Sequence, residues 1–332
     1  MSPWLDGALR VLAALALMLT NGVILILMLR KVLARFHARI GPNRVGPKGL
    51  LQTVADVGKL LTKEDFAPRA ADKWLFTLAP LVVFVPAFAA YAALPFSETW
   101  VIADLETGVL YTFAALSMVP IGILIAGWAS SNKWSLLGGM RAAAQQIAYE
   151  VPLLLSAIPV IMLAGTMNMG VISEAQQGAW AVIPRWYIFH PIGFGAFLLF
   201  LVAALAELNQ TPFDMSEAES ELVAGFATEY SGMRFGFLFL AEFSNSFIVS
   251  ALAVVLFLGG WTLPFLPVEW VAAVAPVVFV LKVYFGIFVL MWIRGTQPRI
   301  RIDQLLSLGW KALIPVSLVW ILFTGVLLKV VG

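Results

Sequence analysis

The uncharged run from Val11 to Leu29 constrains this chain more than any other feature. It is long enough to cross a hydrocarbon core of about 30 Å as a helix, and similar runs recur along the chain. Further spans are expected at 74–94, 109–128, 148–167, 189–206, 235–261, 270–293 and 306–331. The runs are continuous rather than alternating, as helices in lipid require. Composition agrees: 61% of the 332 residues are apolar, 12% are charged and the mean hydropathy is +0.93. An ordinary soluble enzyme, at about 25% charged residues, is excluded. The expected fold class is an all-α polytopic membrane protein forming one integral membrane domain, with about eight transmembrane helices. An amphipathic interfacial helix is expected near 48–62 and an acidic loop near 207–234.

Scarce residue types exclude several chemistries. Without cysteine the chain supplies no thiolate to an iron–sulfur cluster, zinc site or disulfide. His37 and His190 lie on separate segments, which argues against haem or His-based metal ligation. Neither a GxGxxG nor a GxxxxGK[ST] motif occurs, so nucleotide binding is unsupported. The formal charge of +2 gives no reason to expect nucleic acid. Any electron carrier is expected on another chain.

Eight spans place both termini on one side. Most of the 21 Lys and Arg residues fall in the odd-numbered connections. Arg30, Lys31, Arg35, Arg39, Arg44 and Lys48 are in the first, Lys133 and Arg141 in the third, Arg234 in the fifth, and Arg294, Arg299 and Arg301 in the seventh. By the positive-inside rule those loops face the cytoplasm and the termini face outward. Met1 to Arg10 lacks a signal-peptide cleavage site, so the first run is read as a retained helix.

Two connections carry chemical information. The first contains a shaped loop, Gly41-Pro42-Asn43-Arg44-Val45-Gly46-Pro47-Lys48-Gly49, in which proline fixes φ and glycine permits tight turns. Leu50, Val54, Val57 and Leu61 then share a helical face opposite Gln52, Asp56, Lys59 and Lys63. Such a helix either packs on neighbouring spans or lies along the membrane as one wall of an opening to the lipid phase. The fifth connection holds Glu207, Asp214, Glu217, Glu219, Glu221, Glu229 and Glu242, with Arg234 as its only base. Asp214-Met215-Ser216-Glu217 has the form of a capping box, and a helix continuing from it puts Asp214, Glu217 and Glu221 on one face. Repulsion and desolvation are expected to raise some of these carboxyl pKa values and to couple their titrations. A solvated acidic loop is the bland alternative.

Within the spans, Glu150 and Lys282 need a partner or a wet cavity. Glu150 is read as part of a proton path. Lys282 is either that or half of a structural ion pair. Pro152 and Pro159 predict a break in the fourth span. Trp261 and Trp270 read as interface anchors.

Taken together and in order, the Gly41-to-Gln52 run, Ala55-Asp56, Lys63-Glu64, Pro212-Phe213-Asp214, Glu217 to Gly225, Glu229-Tyr230-Ser231 and Pro298 to Leu305 closely resemble one membrane-protein family. It is that of the quinone-channel membrane subunit of respiratory complex I, the proton-pumping NADH:quinone oxidoreductase, whose mitochondrial counterpart is core subunit 1. The likeness runs from Arg30 to Lys311. It implies an eight-span subunit of the bacterial inner membrane that forms most of a tunnel for quinone, with quinone as a substrate at an interface rather than a cofactor of this chain. Implied partners are hydrophilic quinone-site and iron–sulfur subunits, small membrane subunits leading to antiporter-like subunits, and membrane lipid. It implies that Arg30, Arg39, Asp56, Phe213, Asp214, Arg294 and Arg299 border the tunnel. Glu150, Glu207, Glu217, Glu219, Glu221, Glu229 and Glu242 would carry proton coupling. Two positions depart from the family: Leu29 replaces the usual Glu and Gln210 the usual Arg, and joint loss of a pair leaves neither charge alone. Competing readings are the equivalent subunit of a membrane-bound hydrogenase or of a dehydrogenase with another donor, and a stand-alone ion transporter.

Overall fold

The structure, a computed structural model, describes residues 3–180, 183–215, 219–264 and 268–331. In chain order its helices are α1 (Pro3–Phe36), α2 (Gln52–Thr62), α3 (Lys73–Ala90), α4 (Gly108–Leu116), α5 (Val119–Ala129), α6 (Lys133–Ala164) and α7 (Met169–Ala175). They continue as α8 (Pro191–Glu207), α9 (Glu219–Leu222), α10 (Gly232–Phe257), α11 (Val268–Thr296), α12 (Ile302–Leu308) and α13 (Ile314–Val331). Two short strands, β1 (Ala179–Trp180) and β2 (Ile183–Pro184), pair antiparallel. Among the described residues seven helical segments are long and apolar enough to cross a membrane, and α8 is a shorter apolar helix. The chain is an all-α polytopic membrane protein.

At the centre stands α10, whose apolar window is 72% buried within the chain, against 17% for the segment containing α13. Phe247, Leu252, Val255 and Phe257 of α10 are fully enclosed. Small residues bring α5 and α6 together: a side chain added at Gly127 would strike the Ser135 carbonyl at 2.6 Å and lie 3.2 Å from Gly139. Neither position tolerates a larger residue without parting the helices.

Two spans differ from the expectation, in three ways. First, α6 starts at Lys133 rather than near 148, because Asn132 caps it by accepting from the Trp134 N–H at 2.9 Å. Second, the break expected at Pro152 and Pro159 is absent, and α6 runs continuously through both. The Ala148 carbonyl, which Pro152 leaves without its i+4 donor, lies against Gly309 in a wide π turn at Gly309–Leu313. Third, a break occurs where none is expected, between α4 and α5. There Ser117 turns its hydroxyl back to the Ala114 carbonyl and Pro120 lacks an N–H.

Lys282 also departs from the ion-pair reading. Its ammonium donates to the carbonyls of Leu258, Gly260 and Thr262 at 2.7, 2.9 and 2.8 Å and lies 4.3 Å from the Trp186 ring centre. It therefore closes the C-terminal end of α10, where carbonyls lack helical donors. Buried Gln176 adds to this closure by donating to the Val255 carbonyl and accepting from the Gly259 and Tyr187 N–H groups.

Candidate functional site

The loop before α2 is shaped as its composition requires. Gly49 has φ +74°, and a Cβ there would lie 2.1 Å from the Pro42 carbonyl oxygen. Lys31 of α1 holds the turn by donating to the Lys48 carbonyl at 2.7 Å. On α2 the apolar row points away from the rest of the chain, with Leu61 63% exposed. Thr53 is buried and Asp56 half-buried on the inner side. Asp56 is paired with Arg30 of α1 and accepts from Gln52 at 3.2 Å. Arg39 is exposed.

The turn after α8 is held from two directions. Gln145 of α6, wholly buried, donates to the carbonyls of Ala206 and Phe213, both at 2.7 Å. The Ile300 N–H donates to the Pro212 carbonyl at 3.0 Å, and Arg299 donates to Asp214 at 3.1 Å. The Thr211–Pro212 peptide is cis. Phe213 is buried 5.9 Å from the Tyr149 ring, whose hydroxyl donates to the Leu305 carbonyl at 2.8 Å. Three distant segments thus converge on Pro212-Phe213-Asp214.

Among the described residues the acids do not form the single cluster that the sequence suggests. Asp214 and Met215 are not helical, and the first described helix after them is α9. Glu217 lies outside the described residues, as does the side chain of Glu219. Glu221 pairs with Arg141 at 2.7 Å. Glu229 accepts from Asn132 at 2.6 Å, and Arg234 pairs with Asp65 at 3.0 Å. Glu221 is thus neutralised by Arg141 and Glu229 is held by the neutral amide of Asn132, both at α6, while Arg234, the one base of this connection, is taken by Asp65.

Glu207 and Glu242 are the exception. They line one internal cavity with Gln146, Asn209 and Asn245, walled by apolar side chains such as Val83 and Phe226. Glu207 is only 6% exposed. Glu150 acts on Glu207 electrostatically, and Arg294 and Asp214 act on Glu242. Ser117, at the α4–α5 break, acts on Glu150 while its hydroxyl donates to the Ala114 carbonyl. The carboxylates therefore form a sequence, Glu150 to Glu207 to the cavity to Glu242 to Asp214, with Arg294 and Arg299 at its far end. Gln210 stands beside this line, 6% exposed, donating to Ser246 at 3.2 Å. A neutral amide at this buried position needs no counter-charge.

Sequence reasoning missed Ser117, Asn132, Gln146, Asn209 and Asn245. No local signal marks them: an amide inside an apolar stretch is visible, but which cavity it faces is not.

The family described as NADH dehydrogenase matches residues 9–325. A protein from Geobacillus kaustophilus, named as the H-type subunit of NADH-quinone oxidoreductase, is 50% identical over 321 residues, covering 96% of this chain and 92% of the relative. Proteins of the same name from Brevibacillus brevis and Anoxybacillus flavithermus are 50% and 53% identical, covering 90% and 89% of this chain and 86% of each relative.

Proposed function

The chain belongs to the NADH dehydrogenase family, and from that membership we propose that it is the H-type subunit of an NADH-quinone oxidoreductase, an integral membrane component working with the other subunits of complex I. Within that assembly it forms the path by which quinone enters from the lipid and couples quinone reduction to proton translocation. The observation that carries this reading is the line of carboxylates from Glu150 through Glu207 and Glu242 to Asp214, which ends at the Phe213 turn. Ionisable groups at such depth mark ion or proton paths.

The two halves of the mechanism meet at that turn. Quinone reduction takes up protons, so it changes the charge beside Asp214 and Arg299. Asp214 acts electrostatically on Glu242, and Glu242 shares its cavity with Glu207. A charge change at the turn therefore shifts proton occupancy along the line, and the coupling is reciprocal. The exposed apolar face of α2, with Val54, Val57 and Leu61 outward and Leu50 just before it, supports its role as the wall of a lipid-side opening. Phe213 and the Arg30–Asp56 pair would border the path inward. The helix ends bearing Arg30, Arg141 and Arg234, and the segment bearing Arg299, would face the cytoplasm, where hydrophilic subunits with the electron carriers dock.

A photoreactive quinone in membranes containing the whole complex tests the quinone part. Cross-links are expected on α2 and around Phe213, competed by excess unlabelled quinone. Labelling confined to other subunits would remove the tunnel reading.

A further inference from the structure

Among the described residues, Gln146 Oε1, Glu207 Oε2, Asn209 Oδ1 and Asn245 Oδ1 are buried and receive no hydrogen bond from the protein, and all four residues line the same cavity. Every one of these atoms is an acceptor. The amide of Gln146 is oriented by its own nitrogen, which donates to the Glu207 carbonyl at 3.4 Å and turns the oxygen away. Glu242 adds a second carboxylate to the lining, and no described Lys or Arg side chain contributes to it. The cavity also abuts the C-terminal end of α8, where the helix dipole favours positive charge.

We propose that this cavity binds a monovalent alkali cation, sodium, through the side-chain oxygens of Glu207, Gln146, Asn209 and Asn245. An all-oxygen donor set selects hard cations over transition metals. Arg294 already offsets Glu242 electrostatically, so the remaining Glu207 carboxylate matches a single positive charge, and one carboxylate with three amide oxygens falls short of the six to eight oxygens a calcium ion draws. The volume, about 40 Å³, leaves room for an ion and about two waters. Binding displaces the Glu207 proton when that carboxyl is protonated: carboxylic acid and sodium ion become sodium carboxylate and a released proton. Sodium and the proton then compete for one carboxylate on the coupling line.

The proposal shares its location with the coupling reading, but its test is at equilibrium, without NADH or quinone, so each can fail alone. The intact complex is treated with N,N′-dicyclohexylcarbodiimide, which modifies protonated buried carboxyls. Labelling of Glu207 is followed by peptide mass spectrometry as choline chloride is replaced by sodium chloride at constant ionic strength. Sodium at about ten times its Kd is expected to slow labelling about tenfold. Asn245→Leu and Gln146→Leu should each require more sodium for the same protection. Equal labelling in sodium and choline overturns the proposal. Thermal unfolding of the same complexes gives a second readout that does not depend on Glu207 being reactive. Sodium should raise the wild-type Tm and have less effect on Asn245→Leu; no sodium effect on the wild type, or an equal rise in both, also overturns it.

Discussion

Arg299 reaches Asp214 across 85 residues of sequence and donates to its carboxylate at 3.1 Å. The bond joins the segment following α11 to the turn following α8, the point where the carboxylate line ends. Removing either partner should lower quinone reductase activity of the assembled complex. Because the two side chains act as one unit, Asp214→Asn with Arg299→Gln should be little worse than either alone. The expected coupling is about 1 kcal/mol, roughly fivefold in rate. Additive losses in a double-mutant cycle would show that the pair is not a unit.

Lys282 holds three carbonyls at the end of α10. Lys282→Met leaves all three without their donor in a buried place, a loss of about 3 kcal/mol. The complex should unfold at lower temperature yet retain quinone reductase activity at low temperature. Unchanged thermal stability would contradict the closing role. Loss of activity without loss of stability would restore the proton-path reading of this lysine.

Much of this architecture was legible in the sequence, for a definite reason. A membrane span is a local property, a run of apolar side chains, and α1, α3, α8, α10, α11 and α13 follow from such runs. The start of α6 was not legible, because Arg141, Gln145 and Gln146 dilute the run while Gly138, Gly139, Ala142 and Ala143 pack it against neighbours. The acids could be named from sequence, but their partners could not. Arg141 and Glu221 are 80 residues apart, Asn132 and Glu229 are 97, and pairing at that distance is set by the fold. The break between α4 and α5 escaped notice because one Ser and one Pro in an apolar run look like any other kinked span.

Gly49 is confined by its conformation and by its neighbour. With φ +74° and the Pro42 carbonyl at 2.1 Å from an added Cβ, Gly49→Ala should distort the loop that Lys31 ties to Lys48. A loss on the order of 2 kcal/mol is expected locally. Limited proteolysis should cut the variant between 41 and 51 faster than the wild type. Equal cutting would show that the loop tolerates rearrangement.

On the opposite end of the bundle, partial desolvation raises the carboxyl pKa of the exposed Glu174, with Glu98 and Asp104 adding like charge. A carboxyl whose pKa is higher folded than unfolded opposes folding once it ionises. The penalty is absent below the ordinary pKa, 4.5, and grows as pH rises through the raised value. Glu174→Gln should therefore raise the Tm of the complex at pH 8, with a gain that shrinks as pH falls toward 5. A gain independent of pH would assign the effect to packing rather than charge.

The proposed communication between protons and quinone chemistry passes through the cavity shared by Glu207 and Glu242. Complex carrying Glu207→Gln, reconstituted in liposomes, tests it when NADH:quinone reductase rate and proton uptake are recorded together. Removing the carboxylate from the middle of the line is expected to reduce proton uptake about tenfold or more, with quinone reduction slowed alongside it. Wild-type proton uptake per NADH at the wild-type rate would contradict the account.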